Sequence, residues 1–194
     1  LLSQYKDQGV EVLAGTHSGT ASISAFIKTA EEVGLDAVIC ADGLGWVGEW
    51  YELTGEASNY VLDSTPVLVT DESKEWAKEM KEKYGLDSGA WAGIAYDFDN
   101  FFIKIAERAL EKYGEITSET LHKVNMEEVI TGQLTYNKDD GAIIMNELKY
   151  SSDSVPDPVF GIDYWYVPII QYIDGKGEVV FPEAWATTKF KSPE

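Results

Sequence analysis

The chain has 194 residues, 44% hydrophobic and 25% charged, with 34 acidic side chains against 15 basic ones and a formal charge of −19. That length supports one sizeable core or two small ones, and the apolar fraction excludes a disordered chain. The negative field repels phosphate, which speaks against nucleic acid as a partner and reads first as a solvated, aggregation-resistant surface. Cys40 is the single cysteine, so no disulfide framework exists within the chain. With two histidines and no ligand-type spacing, no metal site and no cofactor is expected. No run approaches the roughly 18 to 20 apolar residues that cross a bilayer, so a soluble chain is expected. It opens Leu1-Leu2-Ser3-Gln4, without Met or a charged-then-apolar leader, which implies processing or truncation.

The first half alternates strands and helices. Val10 to Ala14 reads as a strand ending at Gly15, followed by the polar loop Thr16-His17-Ser18-Gly19-Thr20. The next helix carries Phe26, Ile27, Ala30 and Val33 on one face and stops at Gly34. Ala37-Val38-Ile39-Cys40 is a wholly apolar run, as suits a strand covered on both faces, and it ends at Ala41-Asp42-Gly43. An amphipathic segment from about Val47 to Thr54 stops near Gly55, and Tyr60-Val61-Leu62 is the third strand. This order is the doubly wound α/β pattern with a parallel sheet.

Thr65-Pro66 interrupts it. Ser73 to Tyr84 reads as a surface helix with Trp76, Ala77, Met80 and Tyr84 inward, ended by Gly85. Ala90 to Tyr113 reads as a longer helix with Ala95, Phe98, Phe102, Ala106, Ala109 and Tyr113 as its buried stripe. Thr117 is an N-cap for a short helix bearing Leu121 and Val124. Gln133 to Tyr136 and Ala142 to Tyr150 flank a hairpin loop at Asn137 to Gly141, Ser151 to Pro158 is a linker, and Tyr164 to Tyr172 with Glu178 to Phe181 makes a second hairpin. Three short parallel strands form too small a sheet to stand alone, so the pattern reads as part of a larger α/β body.

Ligands of open α/β sheets bind outside the carboxyl ends of the strands. Two loops qualify: Thr16-His17-Ser18-Gly19 and Asp42-Gly43-Leu44-Gly45-Trp46. Asp42 either accepts from a ligand ammonium or caps the next helix. Thr16 and Ser18 offer polar contacts, His17 is a ligand contact or an ordinary loop histidine, and Gly43 lets backbone approach a ligand. Tyr96, in Tyr96-Asp97-Phe98-Asp99-Asn100, either stacks on a ligand or belongs to a core. Gly15-Thr16-His17-Ser18-Gly19 resembles a nucleophile elbow only loosely, having one residue too many between the first glycine and the serine. A small hydrolase using Ser18 with His17, or a triad from His17 or His122 with Asp42, is the enzyme alternative. The first strand-to-helix turn has only Gly15 and Gly19, so it is no dinucleotide fingerprint, and a P-loop is absent.

Phe26-Ile27-Lys28-Thr29-Ala30-Glu31-Glu32-Val33-Gly34-Leu35, Ala41-Asp42-Gly43 and Leu53-Thr54-Gly55-Glu56-Ala57 resemble the second lobe of type I periplasmic binding proteins, and more narrowly the substrate-binding components of branched-chain amino acid ABC transporters. Ala95-Tyr96-Asp97, the stretch from Gly132 to Gly141, Gln171 to Lys176, Pro182 and Ala186-Thr187 continue the similarity in order. The resemblance implies two α/β lobes that close about a hinge on a small ligand, with this chain spanning about the second half. Residues 1–65 and 151–194 would then be a partial C-terminal lobe, and residues 66–150 the remainder of the N-terminal lobe with the hinge crossovers. It implies a non-catalytic, periplasmic or extracellular receptor for an amino acid or similar polar molecule, with a transporter permease as partner. Asp42 would meet the ligand ammonium and the Thr16-His17 loop would line the cleft. A ligand-sensing receptor ectodomain of the same fold is the further alternative.

Overall fold

The computed structural model describes every residue except 17, 18, 47–49, 87 and 194. In chain order the elements are α1 (Leu2–Asp7), β1 (Val12–Thr16), α2 (Thr20–Glu32), β2 (Val38–Asp42), α3 (Trp50–Thr54), β3 (Leu62–Ser64), α4 (Asp71–Tyr84), α5 (Ala90–Tyr113), α6 (Ser118–Val124), β4 (Tyr136–Asn137), β5 (Glu147–Leu148), β6 (Ile169–Ile173) and β7 (Lys176–Phe181). They form two units, Leu1–Pro66 with Val167–Glu194, and Val67–Tyr166.

The first unit is built on a five-stranded sheet in the order β1-β2-β3-β6-β7. β1, β2 and β3 are parallel, while β6 runs antiparallel to β3 and β7 antiparallel to β6. The α/β reading holds, but the sheet is mixed, because the C-terminal hairpin joins the parallel strands directly. Asp174 and Gly175, at φ 49° and 75°, make the tight turn that forces β6 and β7 antiparallel. β1 extends two residues further than Ala14, through Thr16, and β3 starts at Leu62 rather than Tyr60, whose φ of 70° breaks the extended run. β2 is not covered on both faces. Ile39 and Ala41 are buried while Val38 and Cys40 are partly exposed. α2 places Ile23, Ile27 and Ala30 in the core and ends before Gly34, whose φ of 63° closes the helix.

The second unit is mainly helical. Thr70 caps α4 by accepting from the Ser73 N–H, and Thr117 caps α6 in a reciprocal box with Thr120. Gly85 and Gly114, both left-handed, end α4 and α5. Tyr84 is exposed rather than inward, because it lies in the last turn of α4. The α5 span is as expected, but its buried stripe is rotated. Ala90, Ile94, Asp97, Phe101, Ile105 and Ala109 face the core, whereas Ala95 and Phe102 are exposed. The cause is Asp97. Its carboxylate accepts the N–H groups of Ile143, Ile144 and Met145, which draws an acidic residue into the core-facing row. α6 runs on into a π-helical turn at Asn125–Val129, which sends the adjacent Glu127 and Glu128 both to Lys112 of α5. Arg108 holds the Glu128 carboxyl below the usual range, assisted by Lys112.

Asn137 to Gly141 forms a capped turn, with the Asn137 side chain accepting the Asp139 and Asp140 N–H groups, but it is not the hairpin loop. The two-pair ladder joins Tyr136–Asn137 to Glu147–Leu148, so the connection runs from residue 138 to 146. Residues 151–166, read as a linker and a return to the other lobe, pack within the second unit. The Val159 N–H donates to the Lys149 carbonyl, Asn146 Nδ2 to the Ile162 carbonyl, and the Trp165 ring lies 5.4 Å from that of Phe98. Among the described residues no helix is long and apolar enough to cross a membrane.

Candidate functional site

The parallel register pairs Val12 with Val38 and so brings Thr16 and Asp42 side by side at the carboxyl ends of β1 and β2. Thr16 Oγ1 donates to Asp42 Oδ2 at 2.9 Å. Asp42 is half-buried, and its other oxygen has no hydrogen-bond partner among the described residues. A half-buried carboxylate with one oxygen fixed and one open is an acceptor suited to a cationic donor such as an ammonium. The structure therefore brings Thr16, Asp42 and Gly43 together. His17 and Ser18 lie outside the described residues. Tyr96 belongs to α5 in the second unit, where its partly exposed ring packs 5.7 Å from that of Trp76.

The loop after β2 is more constrained than its composition suggests. The Gly43 N–H donates to Asp63 Oδ1 at 3.2 Å and the Gly45 N–H to Asp63 Oδ2 at 2.7 Å. Gly43 thus has no free amide to offer a ligand. Its φ of 114° explains the glycine, since other residues resist that conformation. Gly45 has a different cause. A Cβ there would collide with the Tyr172 hydroxyl and meet Asp63 Oδ2 at 3.2 Å. These glycines serve the loop's own packing.

Asp63 and Tyr172 were not singled out in the sequence. Asp63 is 2% exposed, and its Oδ2 also accepts from the Tyr172 hydroxyl at 2.6 Å. Burial pushes the Asp63 carboxyl above its usual range, the Tyr172, Gly45 and Gly43 donors pull it back, and the Asp42 charge adds to the rise. Burial, together with the Asp63 charge and hydrogen bond, pushes the Tyr172 phenol up, so it stays a donor. A sequence signal existed: Val61-Leu62-Asp63 repeats the pattern of an apolar run ended by aspartate seen at Ala41-Asp42.

A recess of about 470 Å³ in the same unit is lined by Ile27, Ala30, Ile39, Glu56, Tyr60 and Val61 among others, and by none of Thr16, Asp42 or Gly43. It is a fissure between α2 and the turn at residues 55–60. Among the described residues no group of three or more His, Cys, Asp or Glu side chains is placed to hold a metal.

No family model matches the chain, and no curated protein does. Solved structures do. A Silicibacter pomeroyi protein assigned to branched-chain amino acid ABC transporters is similar over 99% of this chain and 49% of its own, at 16% identity and a TM-score of 0.68. A branched-chain amino acid ABC transporter protein of Thermus thermophilus, solved with bound valine, is similar over 92% of this chain and 47% of its own, at 17% identity and a TM-score of 0.59. A type 1 periplasmic binding protein of Bordetella pertussis is similar over 92% and 48%, at 13% identity and a TM-score of 0.59. The chain thus spans about half the length of the structures it matches. At these identities the likeness is one of architecture, and it is to binding proteins. The α/β framework that sets Thr16 beside Asp42 is the type I periplasmic-binding-protein fold, over about half of its length.

Proposed function

We propose that this chain is part of a solute receptor that binds an amino acid or a similar small polar molecule, with Asp42 receiving the ligand's ammonium group. The observation that carries the reading is the Thr16–Asp42 hydrogen bond at the carboxyl ends of two parallel strands, where α/β sheets bind ligands, with one Asp42 oxygen left open among the described residues. Asp42 and Thr16 are the first-rank contacts. His17, Ser18 and Tyr96 are proposed as further ones, and Gly43 contributes by shaping the loop. Binding rather than catalysis fits the neighbours, which are transporter-associated and binding proteins.

In this reading the unit of Leu1–Pro66 and Val167–Glu194 is part of the C-terminal lobe, and Val67–Tyr166 belongs to the N-terminal lobe. Ligand-driven closure about the hinge would present the loaded receptor to an ABC transporter permease at the periplasmic or extracellular face. Ligand shifts the equilibrium only by what it gains in the closed state, so an ammonium contact that forms on closure has mechanical consequence.

Valine is the first probe, because the Thermus neighbour holds it. A charge-assisted hydrogen bond to an ammonium contributes about 1.5 to 3 kcal/mol, so Asp42→Ala is expected to weaken valine binding at least about tenfold in calorimetry. Equal affinity in the wild type and the variant would remove Asp42 from the site.

A further inference from the structure

We infer that Asp63 is the positioning residue of the candidate site: together with Tyr172 it holds the loop from Asp42 to Gly45, so the aim of Asp42 depends on the β3–β6 strand pair. The inference rests on the reading of Asp42 as a ligand contact, and its mechanical half can be tested without a ligand.

Both oxygens of one buried carboxylate are engaged. Oδ1 takes the Gly43 amide, and Oδ2 takes the Gly45 amide and the Tyr172 hydroxyl. Gly43 directly follows Asp42, so fixing its peptide plane fixes the backbone from which the Asp42 side chain departs. Strand register supplies the anchor. Asp63 pairs with Ile170 of β6, and Tyr172, two residues on, lies on the same face as Ile170. Tyr172 is itself held. Its N–H donates to the Val61 carbonyl, its carbonyl accepts from the Tyr60 N–H, and its ring lies 4.1 Å from that of Trp50. A side chain at Gly45 would displace the phenol, so the glycine and the tyrosine are matched. The ionisable groups that act on Asp63 are Tyr172 and Asp42, and no Lys, Arg or His forms an ion pair with it among the described residues. Three donors, rather than a counter-ion, stabilise the charge. Loss of a donor or of the charge therefore acts directly on the loop.

The test uses the full chain, the variants Tyr172→Phe and Asp63→Asn, and three readouts. These are amide exchange at Gly43 and Gly45, the pH titration of their amide chemical shifts, and calorimetry with valine. In Tyr172→Phe, which keeps the ring against Trp50, both glycine amides are expected to exchange at least about tenfold faster, while Ile105 in the second unit is unchanged. Valine is expected to bind at least about fivefold more weakly, through a site residue that has not been altered. In wild type the Gly43 and Gly45 shifts should share a common titration, and in Asp63→Asn that common component should vanish, leaving at Gly43 only what the neighbouring Asp42 contributes. Should Asp63→Asn not fold, the phenylalanine variant and the wild-type titration carry the test. Unchanged exchange at both glycines overturns the inference, as does faster exchange with unaltered valine affinity. If wild type does not bind valine, the binding reading fails on that probe. Exchange and titration then decide the anchoring role, and unchanged rates overturn it.

Discussion

Two buried aspartates, one in each unit, perform the same physical task with different results. Asp63 collects two loop amides and a phenol, and Asp97 collects three successive amides, from Ile143 to Met145. In both places irregular backbone enters the interior, and its N–H groups need acceptors that no neighbouring strand provides. A carboxylate with two oxygens is the most economical side chain for that task. The difference lies in what the anchored loop presents. The Asp97 loop turns Ala142 and Met145 into the core, so its anchoring is structural. The Asp63 loop leaves Asp42 half-exposed, with one oxygen open among the described residues. An anchored loop alone is therefore no sign of a site. The sign is an anchored loop that holds a polar group at the surface.

The largest expected effect tests which face of α5 the Asp97 anchor turns inward. Phe101→Ala should cost about 3 to 5 kcal/mol, as for a fully packed aromatic, whereas Phe102→Ala should cost about 0.5 kcal/mol or less. Urea denaturation of the two variants separates them, and equal costs would mean that Phe101 does not lie on the packed face of α5. Next comes the anchor itself. Asp97→Ala strands three amides, one buried and two part-buried, and should cost at least about 3 kcal/mol, while Tyr172→Phe, which removes one donor from Asp63, should cost about 1 to 2 kcal/mol. A loss below that of Tyr172→Phe would break the comparison between the two carboxylates.

The smallest effect is in pH. Burial raises both Asp63 and Asp97 above their ordinary value of 3.8, against the pull of their donors. A carboxyl raised in the folded state binds its proton more readily folded than unfolded. Its contribution to stability is therefore fully present below the unfolded value and is lost as pH rises through the folded one. The stability of wild type relative to Asp97→Asn should thus decline as the pH is taken upward from about 4, in paired urea titrations. A rise over that range would show that the three amides outweigh burial.

Much of the framework was legible in the residues. The boundaries of α5, the stops at Gly34 and Gly85, the Thr117 cap and the three parallel strands follow from local chemistry, which depends on neighbours a few residues away. The pairing of Thr16 with Asp42 was half legible. Each residue lies in a loop that follows a β-type run, but that they touch depends on strand register. The rotated face of α5 was not legible, because an acidic residue is ordinarily placed toward water, and only the distant amides at residues 143–145 reverse that preference. The mixed sheet escaped for a similar reason. Nothing in the β6–β7 hairpin states which strand it will pair with.

By itself, the sequence determined the alternation of strands and helices, the helix caps and stops, and the likeness to type I binding proteins, since these reside in short-range periodicity and in the order of local motifs. The tertiary structure alone decided the partners of Asp63, Tyr172 and Asp97, the role of Gly45 and the open side of Asp42. Asp63 and Tyr172 are 109 positions apart and meet only because β3 and β6 are neighbours. A buried polar group is defined by what reaches it, and that is a property of packing.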